Sequence, residues 1–221
     1  MFLSLLCAAT VAFVGCKPEP NEPELPKGPE SVDLGLSVQW ATCNVGAENP
    51  QDYGNCYAWG EVETKEEYVP QNYKYGTGGK HSLESKLTKY CTKEEFGKDG
   101  FTDDKLTLDP EDDAAHVNWG GTWRMPTESE WLELIEQCAW TLETRSNTIG
   151  YRVTAKNGNS IFLPAAGYRD YVKTHEDGTQ DNLNNVDKTG NYWTSSLAEE
   201  GPYGAGYVFF DLKDRIQRRG G

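Results

Sequence analysis

Positive charge and histidine are both scarce in this chain. Lysine and arginine number 21 against 35 aspartates and glutamates, a formal net charge of −14. A chain of that sign repels phosphate backbones and anionic lipid headgroups, which argues against nucleic acid as a partner and against electrostatic adsorption to a membrane. The three histidines (His81, His116 and His175) stand far in sequence from every cysteine, and no CxxC or HExxH occurs, so neither a zinc site nor any other metal site is expected. Ser195 and Ser196 lack the GxSxG setting of a hydrolase nucleophile. Gly76-Thr77-Gly78-Gly79-Lys80 lacks phosphate-loop spacing, and His81 follows the lysine. Beyond residue 15 no apolar run is long enough to span a bilayer. No cofactor is expected.

The first fifteen residues carry no charge at all; Cys16 follows, then a tether rich in proline and glutamate. An apolar stretch of this length ending in Gly15-Cys16 reads as a secretory signal peptide rather than a membrane span. Phe13-Val14-Gly15-Cys16 resembles the lipobox of bacterial lipoproteins, with phenylalanine where Leu, Val or Ile is usual. Lys17 is the first charge, so the usual basic leader is missing. The resemblance implies lipidation at Cys16, export, and anchoring in the outer membrane with exposure at the cell surface. The domain plan expected is a signal peptide at 1–15, a tether at 16–30, and one domain at 31–221, long enough for its own core.

With Cys7 lost in the signal and Cys16 lipidated, Cys43, Cys56, Cys91 and Cys138 remain, an even number that in an exported domain points to disulfides. Four cysteines allow three connectivities and sequence alone does not choose; free buried thiols are the alternative. The expected pairing is Cys43 with Cys138, both near one core, and Cys56 with Cys91, which bracket an irregular region.

Alternation in 31–40 predicts a half-buried strand, and residues 61–113 read as mostly irregular. The acidic cluster Asp103, Asp104, Asp109, Glu111, Asp112 and Asp113 offers calcium ligands, but its spacing is not that of an EF-hand. Asp109-Pro110-Glu111 reads better as a helix start, with Asp as cap and Pro in the first turn. The clearest helix starts at Thr127: Thr127-Glu128-Ser129-Glu130 is a capping box, and Trp131, Leu134, Ile135 and Cys138 form the apolar stripe. Residues 151–155 and 160–163 flank an Asn157-Gly158 turn and predict a hairpin. Residues 192–196 and 206–210 predict closing strands, and 170–190 a polar loop.

Three blocks carry a family resemblance: Trp119-Gly120-Gly121-Thr122-Trp123-Arg124-Met125-Pro126-Thr127-Glu128-Ser129-Glu130-Trp131, Leu163-Pro164-Ala165-Ala166-Gly167-Tyr168-Arg169 and Tyr192-Trp193-Thr194-Ser195-Ser196. Together with the opening residues 32–46 they resemble the Fibrobacter succinogenes major paralogous domain found in Bacteroidetes lipoproteins. More distantly, the first block is similar to formylglycine-generating enzymes. The resemblance implies an α+β, C-type-lectin-like fold, rich in loops with few short strands, and a further terminal strand beyond Gly221.

Formylglycine-generating relatives use a late cysteine pair, and no cysteine follows Cys138, so that activity is not carried over and no catalytic residue is assigned. The expectation is a non-catalytic binding or adhesion module for a glycan or a surface protein; a related oxidase and a purely structural surface protein are the alternatives. Recognition loops on a stable frame are the usual site. Tyr171, His175, Asp181, Asn182, Asn184 and Asn185, in the polar loop, are the ligand-binding candidates, with solvated loop residues as the bland alternative.

Overall fold

Caps and turns set the boundaries of the elements in the computed structural model, which describes residues 28–79, 84–174, 180–198, 204–213 and 215–220. Helix α1 (Ala114–Trp119) starts where the Asp113 side chain accepts from the amides of Ala115 and His116. Asp109 and Pro110 open only a short 3-10 turn ahead of it, so the working cap is Asp113 rather than Asp109. Helix α2 (Glu128–Gln137) carries the full capping box of Thr127 and Glu130 and ends at Cys138. Its stripe is as read from the sequence: Trp131 and Leu134 are buried, and Ile135 and Cys138 are partly buried against the same core.

The sheets are small and antiparallel, and with the two helices they make the fold α+β. Strands β1 (Ser31–Val32) and β2 (Trp40–Ala41) form one pair. Strands β3 (Ala139–Arg145), β4 (Thr148–Thr154) and β5 (Ser160–Pro164) form a second sheet. A third pairs β6 (Tyr168–Thr174) with β7 (Gln180–Asn184), and a fourth has the order β10-β9-β8, from β8 (Thr189–Leu197), β9 (Ala205–Asp211) and β10 (Ile216–Gly220).

Several expectations change. The continuous strand expected over 31–40 is two short ends joined by a fold-back, turned where the Asp33 carboxylate accepts from the Gly35 amide at φ +67°. Its apolar residues still pack: Leu34 is buried, and Leu36 and Val38 lean on the same core. The polar loop expected over 170–190 contains the β6–β7 hairpin, because Asn and Asp side chains there bond within the fold instead of to water. The expected disulfides are not formed. Cys43, Cys56, Cys91 and Cys138 are free thiols; Cys43 donates to the Ala47 carbonyl and Cys91 to that of Lys93, while Cys138 caps α2.

Two cores share β8 and β9. The first gathers Trp131 and Leu134 of α2, Tyr151 and Val153 of β4, and Val208 and Phe210 of β9. Its rings meet edge-on, Trp40 with Trp131 at 4.9 Å and Tyr151 with Phe210 at 5.2 Å. Each such side chain contributes roughly 1.5–3 kcal/mol by leaving water, before the cost of ordering it. Gly190 admits Phe210: a methyl group there would lie 2.2 Å from its ring.

The second core, Trp59, Tyr75, Tyr90, Leu108, Leu197 and Ala205, anchors the irregular region. Asp112, 1% exposed, lies beneath it. It accepts from Lys74 at 2.9 Å, Lys89 at 2.5 Å, the Tyr90 hydroxyl at 2.7 Å and the Tyr75 hydroxyl. Burial works to raise its pKa, but these donors outweigh it and hold the carboxyl well below the usual range. Around Asp112 the irregular backbone is held by this network of charged and polar groups.

Candidate functional site

A cavity of about 1570 Å³ opens among the described residues. One wall is a face of the β8–β10 sheet. Asn191 and Trp193 of β8 sit opposite Phe209 and Tyr207 of β9, and Arg219 of β10 sits opposite Tyr207, so all five project to the same side. These side chains are half-buried, whereas Val208 and Phe210 on the other face are in the core. Trp193 meets Tyr207 edge-on at 5.7 Å and is fixed by donating to the Tyr57 carbonyl at 2.9 Å. The Arg219 guanidinium lies 3.9 Å from the centre of the Phe209 ring.

Around the rim, Trp119 and Trp123 meet edge-on at 5.3 Å. Residues 53–57, Val38 to Ala41, Cys43 to Val45, and Tyr68, Arg169 and Asn185 also line it. Asn44 ties two of these segments together, donating to the Tyr53 carbonyl at 2.9 Å and to the Tyr192 hydroxyl at 3.3 Å. Tyr53 donates to Asp187 at 2.7 Å; burial first, then that carboxylate, push its pKa up to about 12. Burial likewise pushes the Cys56 thiol up, opposed by the Arg169 guanidinium.

One polar atom in the wall is unmet. Trp40 lines the cavity and is 6% exposed, yet its indole Nε1–H has no acceptor among the described residues. A buried donor without a partner costs about 1–3 kcal/mol, a deficit that this wall carries beside the cavity.

The candidates read from the sequence scatter. Cys16 and His175 lie outside the described residues. Tyr171 is in β6 and Asp181 in β7. Asn182 is 4% exposed and structural: it accepts from Arg169 at 2.5 Å and donates to the Glu66 carbonyl. Asn184 donates to the Asn182 carbonyl at 3.1 Å. Asn185, exposed and at φ +56°, opens the turn after β7 and is the member of the set that lines the cavity. Cys43 and Cys56 line it too. Sequence reading missed Trp40, Tyr207, Phe209 and Arg219. The signal for two of them was present: in Gly206-Tyr207-Val208-Phe209-Phe210, residues 207 and 209 share one strand face.

The acidic cluster already holds a cationic side chain. The carboxylates of Asp109, Glu111 and Asp112 come within 4.8 Å of one another. The Lys89 ammonium is already among them, 2.6 Å from Asp109, 2.5 Å from Asp112 and 3.7 Å from Glu111. A lysine cation thus supplies the neutralising charge that calcium would bring.

The three blocks that carry the family resemblance serve as joints. Arg124 donates to Glu130 through both terminal nitrogens, at 2.8 and 2.5 Å, while Glu130 accepts from the Thr127 amide at 2.7 Å. The Met125 amide donates to Asp113, the cap of α1. In β8, Ser195 donates its amide to the Pro126 carbonyl and accepts from the Leu108 amide, and the Thr194 carbonyl accepts from Trp59. The Pro164 carbonyl accepts from Tyr192 at 2.7 Å.

Comparison of the chain with family models, with curated proteins and with solved structures returned no match. The cavity therefore stands on its geometry. No helix among the described residues is long and apolar enough to cross a membrane.

Proposed function

We propose that this chain is a ligand-binding module, and that the aromatic cavity is its binding site. A concave site walled by rings with a few directed polar groups is the usual form of a small-ligand pocket. The observation that carries the reading is the half-buried aromatic sheet face that walls the cavity, with the unmet, buried Trp40 donor beside it. Tyr207 and Trp193 offer ring faces suited to the apolar side of a pyranose, and neighbouring amides suit its hydroxyls. A glycan is thus the ligand class of choice, free or presented on a surface.

Binding fits the wall better than catalysis does. Its carboxylates are Glu130 and Asp170, and Glu130 is committed to Arg124 and to the cap of α2. The Arg124 guanidinium holds the Glu130 carboxyl below its ordinary range, which suits a strut and not a proton donor near neutral pH.

We further propose that the module is anchored by lipid at Cys16 and held at the outer surface of the bacterial envelope by the 16–30 tether. Support comes from the uncharged leader and the lipobox-like Phe13-Val14-Gly15-Cys16. The same proposal takes the chain as a diverged relative of the Fibrobacter major paralogous domain with a C-type-lectin-like fold, on the strength of the three sequence blocks and the joints they form. A glycan array probed with the full chain tests the binding reading. Signal on at least one glycan class that disappears in Tyr207→Ala, with the thermal transition retained, supports it; a blank array, or signal unaffected by Tyr207→Ala, overturns it.

A further inference from the structure

The cavity reverses the electrostatic character of the chain. The protein as a whole is strongly acidic, at −14, yet the cavity is lined by three arginines, Arg124, Arg169 and Arg219, against two carboxylates, Glu130 and Asp170. Arg124 and Glu130 neutralise each other in a two-point ion pair. Arg169 has a neutral acceptor, Asn182 at 2.5 Å, and a thiol neighbour, Cys56. Arg219 rests on the Phe209 ring at 3.9 Å, and no carboxylate among the described residues pairs with it. The unmet Trp40 group is also a donor. With Arg124 and Glu130 paired, the lining keeps two arginines against one carboxylate, Asp170, and so favours a ligand that brings acceptors.

We propose that the ligand is a carboxylate-bearing saccharide, a glycan containing uronic acid, whose carboxylates meet Arg219 and Arg169 while a sugar ring lies on the face of one ring of the edge-on Tyr207–Trp193 pair. The proposal rests on the binding reading above and names its ligand class. Guanidinium pairs with carboxylate in a planar, two-point geometry that a neutral sugar cannot offer. The Phe209 ring fixes the Arg219 plane before the ligand arrives, which reduces the ordering cost of binding. Charge also speaks for selectivity: an acidic glycan meets repulsion over most of this surface and attraction at the cavity. An acidic peptide would satisfy the arginines but would leave the aromatic wall without the flat, CH-lined surface of a pyranose.

The test uses the full chain and four probes: glucuronate-containing and galacturonate-containing oligosaccharides, the same oligosaccharides after carboxyl reduction to neutral sugars, an oligoglutamate peptide, and buffer alone. Affinity is read by calorimetry. The proposal expects binding of the uronic-acid probes at least about tenfold tighter than of their reduced twins. That preference should weaken from about 50 mM to about 300 mM NaCl. Arg219→Gln should lose about tenfold with the uronic-acid probes and nothing with the reduced ones, and Arg219→Lys should recover part of the loss. Circular dichroism checks that each variant remains folded. Equal binding of acidic and reduced probes overturns the carboxylate inference and leaves the cavity reading standing. Tighter binding of oligoglutamate than of any saccharide overturns the choice of glycan. Binding of none of the probes overturns the inference, and the array experiment then decides the broader reading separately.

Discussion

Arg124 and Glu130 are locked side by side across the start of α2, both guanidinium nitrogens on both carboxylate oxygens at 2.8 and 2.5 Å. The same carboxylate accepts the Thr127 amide and so closes the capping box. One side chain therefore starts a helix and ties it to the segment that caps the helix before it. Arg124 and Glu130 of the 119–131 block are thus committed to structure, while Trp119 and Trp123 of the same block line the cavity. Glu130→Ala is expected to cost about 2 kcal/mol, as cap and charge-assisted bonds go together. Glu130→Gln, which keeps an acceptor for Thr127, should cost about half as much. Urea denaturation of both variants measures the difference, and equal losses would contradict the double role.

Asp112 sets the acid limit of the fold. Its folded pKa lies below the unfolded value, so its contribution is present above about pH 4 and is lost as pH falls through the folded value. Unfolding free energy should therefore decline steadily below about pH 4, and Asp112→Asn should flatten that decline. At neutral pH the same substitution should cost about 3–5 kcal/mol, since it removes the buried charge on which Lys74, Lys89, Tyr75 and Tyr90 converge. Because Lys89 already sits among the carboxylates, adding calcium or a chelator should leave the wild-type melting temperature unchanged.

The β6–β7 hairpin separates structural from exposed asparagines. Asn182→Ala strands the Glu66 carbonyl and frees Arg169, and should destabilise by about 2 kcal/mol. Asn185→Gly should be neutral or slightly stabilising, because φ +56° there suits glycine. Thermal melts of the two variants side by side check this order.

Much of the regular structure is legible in the sequence where local chemistry decides. The Thr127-Glu130 box placed α2, Asn157-Gly158 placed the β4–β5 turn, and aromatic alternation placed β8 and β9. Hydrophobic alternation misled over 31–40, where Leu34, Leu36 and Val38 reach the core from a fold-back. Polarity misled over 168–184, since strand pairing there is sustained by side-chain bonds such as Asn182 to Arg169 rather than by an apolar face. The cavity was hidden for another reason: it joins Trp40, Trp123, Arg169 and Arg219, positions far apart in the chain that only tertiary packing brings to one wall.

Anchoring at Cys16 makes its own prediction. A bacterial host fed a fatty-acid analogue should label the wild type and fail to label Cys16→Ala, as read by gel fluorescence after click coupling. Equal labelling of the two proteins would rule the anchor out.

The central claim is that ligand enters the aromatic cavity and meets Trp40. Two-dimensional NMR of the tryptophan indole N–H groups, recorded on the full chain during titration with a glycan identified by the array, tests it most directly. The Trp40 indole is predicted to move the most and to shift downfield as it gains an acceptor, with Trp193 and Trp123 following and Trp59, bonded at 2.8 Å in the second core, staying put. A titration that saturates while the Trp40 resonance stays still would contradict it.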